Sequence, residues 1–428
     1  MISPATGERE RGQGEEAVDG LYSLVMLRRL QLTTAGESHG PGLTAVLSGV
    51  PAGLGIDVEV IRRDLARRQH GYGRGRRMKI ERDEARVVGG VRDGETLGSP
   101  IALWIENRDW SAWETVMDPW AVAPHLAGKR RVHSPRPGHA DLSGGLKYLR
   151  RDLRDVLERA SARETTARVA CGAVARMLLA ELGVEIRSGV RFLGPLGADR
   201  PVPGWEEVSR VDDASPLRAI HRDLEDEMVA LVDQAKEEGE TLGGAVTVVA
   251  HNVPPGLGSH VSWGEKLDGR LAQAVMSVPA VKAVEIGAAV EVSRRFGSEA
   301  HDPIEWEPDS TGEAGRFRRP TNRAGGLEGG ITNGADLVVT AYKKPISTLR
   351  KGMPSVDLDD LEPRTSQYER SDVTALPAAG VIAEAMVALV LADAALEKLG
   401  GDSMPELLAH WEATRRLQTE WPRRFGER

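Results

Sequence analysis

Several short segments hold residues whose types and spacing could do chemistry. The densest is basic: Arg62, Arg63, Arg67, Arg68, Arg74, Arg76, Arg77, Lys79 and Arg82. Guanidinium forks match phosphate and carboxylate oxygens in pairs, so such a cluster in an acidic chain calls for anions. A solvated helix face would explain Arg62, Arg63 and Arg67 equally well. Arg74, Arg76 and Arg77 belong to the glycine-rich stretch that starts at His70-Gly-Tyr-Gly-Arg-Gly75, where backbone can approach a ligand closely. Nucleic acid is the rival ligand, but only Tyr72 could stack a base there, so a small polyanion is the better reading.

Two histidines sit on turns and not on apolar helix faces. Arg136-Pro-Gly-His-Ala-Asp141 places His139 beside an arginine and a carboxylate. It reads either as a loop histidine capped by Asp141 or as a positioned acid near its unperturbed pKa. Gly36-Glu-Ser-His-Gly40 formally matches the nucleophile elbow of hydrolases through Ser38. An elbow must lead into a helix, whereas Pro41-Gly42 and a β-rich run follow, so His39 as proton donor is the more attractive reading. Ser161-Ala-Arg-Glu164 is a capping-box pattern, and with Arg159 and Arg163 it could also hold an anion at a helix start. In the C-terminal half, Asn322 to Gly334 is dense in glycine, followed by Lys343-Lys-Pro-Ile-Ser-Thr348 and Arg370-Ser-Asp372. These suggest only a phosphate or cofactor loop, since neither a dinucleotide fingerprint nor a P-loop occurs.

Composition narrows the field. The chain has 428 residues with 40% hydrophobic and 28% charged, which fits a globular protein. Only 9 Trp, 5 Tyr and 4 Phe are present, so aliphatic residues must build the core. One cysteine, Cys171, excludes an internal disulfide framework and a cysteine-rich zinc site, and no metal is expected. The net charge of −8 argues against wholesale binding to nucleic acid or an anionic membrane. Residues 1–25 are polar, without an apolar period or a signal-peptide pattern, and read as a disordered extension. The longest apolar stretch, Ala375 to Leu396, carries Pro377, Glu384 and Asp393 and reads as a buried helix, so a cytoplasmic protein is expected.

The elements that must position these residues come as an internal repeat. Gly42 to Gly55 resembles Ala245 to Gly258 at a constant offset of 203, each a β-rich run ending in Val-Pro-x-Gly-Leu-Gly. Helical segments follow at Ile56 to Gln69 and at Lys266 to Ser277. A second pair, from Gly89-Gly90 to Ile105 and from Gly325-Gly326 to Tyr342, repeats at an offset of 236. Two similar halves with a cleft between them are therefore expected. The first strand is expected over Leu27 to Ala35, with helices from Ser161 towards Gly183 and over Ala378 to Leu399. Arg295 to Arg323 reads as a long loop. One catalytic domain over 26–403 and a peripheral tail over 404–428 complete the expectation.

Taken in order, Gly-Glu-Ser-His-Gly, Arg-Pro-Gly-His-Ala-Asp, Ser-Ala-Arg-Glu-Thr, Asn-Arg-Ala-Gly-Gly-Leu-Glu-Gly-Gly, Lys-Pro-Ile-Ser-Thr and Arg-Ser-Asp-Val resemble the chorismate synthase family. The resemblance implies an α+β fold, a β-α-β sandwich of two pseudo-symmetric halves, assembled as a homotetramer. It implies 1,4-anti elimination of phosphate from 5-enolpyruvylshikimate 3-phosphate to give chorismate, the last common step of the shikimate pathway. Reduced FMN is required, and NADPH is the candidate reductant. By matched position, His39 is implied as donor to the leaving phosphate, His139 as partner of the reduced flavin, and Asp372 as base acting through flavin N5. Arg68, Arg74, Arg136 and Arg163 are implied as the substrate clamp, with Arg68 and Arg74 alternatively assigned to NADP. Flavin contacts are implied at Arg159, Ala160, Ser161, Pro279, Ala280, Gly329, Lys344, Pro345, Ile346, Ser347, Thr348 and Arg370. This chain reads Val284-Glu-Ile-Gly-Ala-Ala-Val290 where the family commonly has Val-Glu-Ile-Gly-Asp-Gly-Phe.

Overall fold

A computed structural model describes residues 27–75, 83–120, 130–308, 315–369 and 371–424. The expected extension over 1–25 lies outside them, as do Arg76, Arg77, Lys79, Arg82 and Arg370. The first half runs β1 (Gln31–Ala35), β2 (Gly42–Ser48), α1 (Val58–Gln69), β3 (Ala85–Gly89), β4 (Ile101–Glu106) and α2 (Thr165–Glu181). The second runs β5 (Glu185–Leu193), β6 (Gly244–His251), α3 (Leu267–Met276), β7 (Val281–Ile286), β8 (Leu337–Lys343) and α4 (Leu376–Leu399). A last helix, α5, spans Met404–Arg424.

Each half forms an antiparallel four-stranded sheet with the same order, β1-β2-β4-β3 and β5-β6-β8-β7. The strands alternate by the period of two: Leu43, Ala45 and Leu47 of β2 point inward with Ile101, Leu103 and Ile105 of β4. Val246, Val248 and Ala250 of β6 do the same from the other sheet. The helices fill the space between the sheets in one continuous core. Gly172 marks the crossing of α2 and α4, where a Cβ would lie only 2.3 Å from that of Ala385. Helix α4 is long and apolar enough to cross a membrane by composition, yet its apolar window is wholly buried inside the protein.

The repeat is visible in hydrogen bonds as well as in topology. In the first half, the Thr96 hydroxyl donates to Pro51 O (2.6 Å) and accepts from Leu54 N (2.9 Å). In the second, Thr332 donates to Pro254 O (2.6 Å) and accepts from Leu257 N (2.8 Å). Backbone bonds from Gly53 N to Thr96 O and from Gly256 N to Thr332 O, both 2.8 Å, repeat as well. The same offset of 203 relates Arg67 of α1 to Arg270 of α3, and each reaches a buried carboxylate on α4. Arg67 grips Glu384 with two bonds of 2.7 Å, while Arg270 binds Asp393. Arg67 is thus a core residue, and the solvated-face reading holds only for Arg62 and Arg63.

Three boundaries differ from expectation for physical reasons. Strand β1 starts at Gln31 because the amides of Arg28, Arg29 and Leu30 turn to the Asp393 carboxylate. The Ser161 cap accepts from Arg163 N over a 3₁₀ turn, but Glu164 does not close a capping box. Its carboxylate serves Thr34 and Arg168 instead. The stretch 295–323 contains a two-stranded ribbon, Glu305–Pro308 with Gly315–Arg318. Its charges face each other as Glu305–Arg318 and Glu307–Arg316 pairs at 2.7 Å, which is why composition alone read as loop. Helix α5 packs through Met404 and Leu407 and is otherwise mostly exposed.

Candidate active site

Both halves open onto one cavity of about 1210 Å³. It is walled by the β1–β2 loop, the end of α1, the 130–163 segment, the turn after α3, the end of β8 and the start of α4.

His39 stands at one side. Its Nδ1 meets Glu158 at 2.8 Å and its backbone N donates to the same carboxylate at 2.8 Å. The ring stacks on Trp113 with centroids 3.7 Å apart, and the Arg130 guanidinium lies 3.9 Å from that indole. Burial alone would raise the pKa of Glu158, but hydrogen bonds and charge from His39, with a bond from Arg154, bring it below its ordinary value. Ser161 Oγ donates to Ser38 Oγ at 3.1 Å. The partner of the His39 ring is thus a carboxylate 119 residues away, and strand β2 follows Gly40, so the elbow reading of Ser38 fails on geometry.

His139 rests on the turn that closes with its own N donating to Arg136 O. Asp141 is fully buried and serves two neighbours at once. One oxygen meets His139 Nδ1 at 2.6 Å, while Arg136 Nε and Nη2 donate at 2.8 and 2.9 Å. Burial opposes the charge, yet these bonds hold the Asp141 carboxyl well below the usual carboxylate range. Arg136 extends further, from Nη1 to Thr348 Oγ1 at 2.9 Å. His139 is thus capped by Asp141, as the bland reading expects, and it also lines the cavity.

The other arginines are fixed from behind. Arg68 donates to Thr165 Oγ1 and Ala162 O, and Arg68 and Arg163 flank buried Asp83 at 3.6 and 3.2 Å. Asp372 accepts from Gly75 N at 2.6 Å and lies 3.4 Å from Arg74 Nε. The Pro279-Ala280 turn is tied to the Lys-Pro-Ile-Ser-Thr loop by Lys344 N donating to Ala280 O at 2.9 Å. The Lys344 ammonium donates to Gly138 O.

The cavity thus gathers His39, His139, Asp372, Arg68, Arg74, Arg136, Arg163, Ala160, Ser161, Pro279, Ala280, Lys344, Ile346, Ser347 and Thr348. Three expected contacts are not brought in. Arg159 turns outward and donates to Thr34 O and Gly36 O, bracing β1. Gly329 sits in the ribbon Leu327–Thr332 beside His260, away from the cavity. Pro345 faces a smaller neighbouring hollow. The altered segment 284–290 also lies off the cavity, with Glu285 held by Tyr342 and Arg191. Glu158, Trp113, Arg130 and Asp83 escaped the sequence reading. They carry no motif and are joined to the site only by long-range contacts.

The walls suit a flat anionic cofactor together with a small polyanion. Gly138, at φ +79°, leaves a cradle in which a Cβ would come within 3.2 Å of the Lys344 ammonium. Aliphatic Val278, Ala375, Ala378 and Ile382 offer apolar contact opposite the cationic groups.

Comparison with known proteins agrees with this architecture. The sequence model of the family described as chorismate synthase matches residues 30–396. The chorismate synthase of Geobacter sulfurreducens is 53% identical over 385 residues, covering 90% of this chain and 98% of that protein. That of Moorella thermoacetica is 52% identical over 391 residues, covering 91% and 100%. A crystal structure of chorismate synthase superposes with a TM-score of 0.73 at 42% identity, covering 92% of this chain and 99% of that one. With its two matched halves, its histidine–carboxylate pairs and its arginine wall, this chain belongs to the chorismate synthase family.

Proposed function

We propose that this chain is a lyase that eliminates phosphate from 5-enolpyruvylshikimate 3-phosphate to give chorismate, with reduced FMN held in the large cavity. The observation that carries the reading is the cavity itself, where two carboxylate-held histidines, Asp372 and four braced arginines converge. Ser161, Pro279, Ala280 and Lys344 to Thr348 would hold the flavin, except Pro345, which faces away. Bound there, reduced FMN would supply electron density against the charge deficiency that grows as phosphate departs.

Arg68, Arg74, Arg136 and Arg163 bind the phosphate and the two carboxylates of the substrate. The braces of Arg68, Arg136 and Arg163 (Asp83, Asp141, Thr165 and Thr348) fix those forks before the ligand arrives, which lowers the entropy lost on binding. His39 has Nδ1 engaged by Glu158, so a proton for the leaving phosphate travels through Nε2. His139 is arranged alike, with Nδ1 on Asp141. Asp372 is aimed by Gly75 N and accepts the proton that leaves carbon. NADPH is the proposed reductant, sharing Arg68 and Arg74. A homotetramer in the cytoplasm, without nucleic acid or membrane, completes the reading.

Substitution tests it. His139→Ala and Asp372→Ala should each lower turnover by at least about a hundredfold, a usual acid–base contribution. Near-normal turnover in either variant would remove that residue's role.

A further inference from the structure

A second hollow of about 440 Å³ adjoins the first and shares Lys282, Lys343 and Lys344 with it. Its position follows from the repeat. At the offset of 203, Gly239-Glu-Thr-Leu-Gly243 is the counterpart of Gly36-Glu-Ser-His-Gly40. Thr241 and Leu242, both lining the hollow, therefore stand where Ser38 and His39 stand in the first half. The second corner has no imidazole, and lysines gather there instead.

Lys343 occupies the junction. Strand β8 slips against β7 between Tyr342 and Lys343, so that Lys343 faces Val281 and Lys282 is skipped. This slip brings three lysines to one rim. The Lys344 ammonium is bound to Gly138 O. The Lys343 side chain makes no hydrogen bond or ion pair with any described residue. The charged groups around it are Asp372 and Arg74 across the cavity, Lys344 just past the end of its own strand and Lys282 on β7. Glu285, the nearby carboxylate of β7, is taken by Tyr342 and Arg191. Burial, with Arg74 and Lys344, lowers the Lys343 pKa to about 8, against the opposing pull of Asp372. An ammonium so placed is under-compensated, and an arriving anion restores its charge.

We propose that Lys343 is an additional anion anchor of the active cavity, which takes up a proton as it binds the phosphate monoester of a ligand lying at the junction of the two hollows. Two ligands carry that chemistry, the flavin mononucleotide and the phosphorylated substrate. Their names rest on the function proposed above, but the binding measurement needs no turnover. The sign follows from linkage: the group is half charged near pH 8 and fully charged only well below it, so affinity is full at about pH 7 and lower and falls as pH rises, approaching about tenfold per unit. The phosphate monoester is already a dianion above pH 7, with its second pKa at about 6, and arginine does not titrate, so neither produces this slope.

Equilibrium dialysis of FMN alone, and of substrate with FMN-loaded protein, at pH 7, 8, 9 and 9.5 tests the proposal. It compares wild type, Lys343→Gln and Lys343→Arg, with thermal melts to establish folding. The wild type should lose about fivefold affinity between pH 8 and 9, and about tenfold between pH 7 and 9, for one of the ligands, and the arm showing the loss identifies the source. Lys343→Arg should bind equally at pH 7 and 9. Lys343→Gln should bind at least about tenfold more weakly at pH 7, with a flat profile. A flat wild-type profile for both ligands, or an unchanged slope in Lys343→Arg, overturns the proposal. A linked slope in a protein that forms no product supports the anchor and defeats the reaction reading instead.

Discussion

Asp141→Asn is the most informative single change, because one buried carboxylate aims both an arginine and a histidine. Asparagine keeps the shape but offers one acceptor and one NH₂ group. Turned one way, its NH₂ confronts the Arg136 guanidinium, and two donors face each other. Turned the other way, its NH₂ faces both His139 Nδ1, moving the imidazole proton to Nε2, and Arg136 Nη2. Either way Arg136 loses the charge that meets it through Nε and Nη2. Breaking a buried pair on one side costs about 3–5 kcal/mol. Roughly 400 residues unfolding together carry about 0.8 kcal/mol per kelvin of unfolding entropy, so the melting temperature should fall by about 4–6 °C. Turnover should fall by about a hundredfold or more at pH 7, since Arg136 loses the carboxylate that aims it in either orientation and, in the second, His139 is held with its proton on the other nitrogen. The pH dependence gives a separate check. The folded Asp141 pKa is depressed, so its contribution is present above the unfolded value of about 4 and is lost as pH falls below it. The gap in melting temperature between wild type and variant should therefore shrink below about pH 4. Scanning calorimetry from pH 3 to 7 reads the gap. A variant that melts within 1 °C of wild type at pH 7 (about 0.8 kcal/mol or less on the scale above) would refute the reasoning.

Two further outcomes follow from the packing. Thr96→Val and Thr332→Val each remove a hydroxyl that both donates and accepts, leaving a buried carbonyl and amide unpaired. Each should cost about 1–3 kcal/mol in urea unfolding, and the two losses should be similar if the halves are equivalent. Glu384→Ala strips the counter-charge from Arg67, Arg176 and Arg218 in the core. It should lower the melting temperature at least as much as Asp141→Asn, and unchanged stability would show that the buried arginines pair elsewhere.

The sequence disclosed most of what is local or repeated. The Val-Pro-x-Gly-Leu-Gly turns and the glycine pairs at 89–90 and 325–326 announced two like halves, and the sheets bear them out in order and register. Helix α4 was legible because its apolar run is unbroken enough to need burial on every side. What was hidden is what distant chain segments do to one another. Asp393 draws off the amides of Arg28 to Leu30 and so delays β1, which no local pattern in 27–35 could show. Arg67 has the spacing of a solvated residue, and only its contact with Glu384, 317 residues on, makes it core. At the site, motifs exposed three residues that line the cavity, His39, His139 and Asp372. The groups that orient His39, Glu158 on a short helix and Trp113 on a turn, carry no motif and become visible only through the fold.

The central claim is the elimination, and anaerobic product formation tests it most directly. Purified protein, photoreduced FMN and 5-enolpyruvylshikimate 3-phosphate are mixed, and chorismate absorbance and released phosphate are followed together. Equal yields of both, absent when the FMN is oxidised, are the predicted result. Binding of FMN and substrate without release of either product would contradict it.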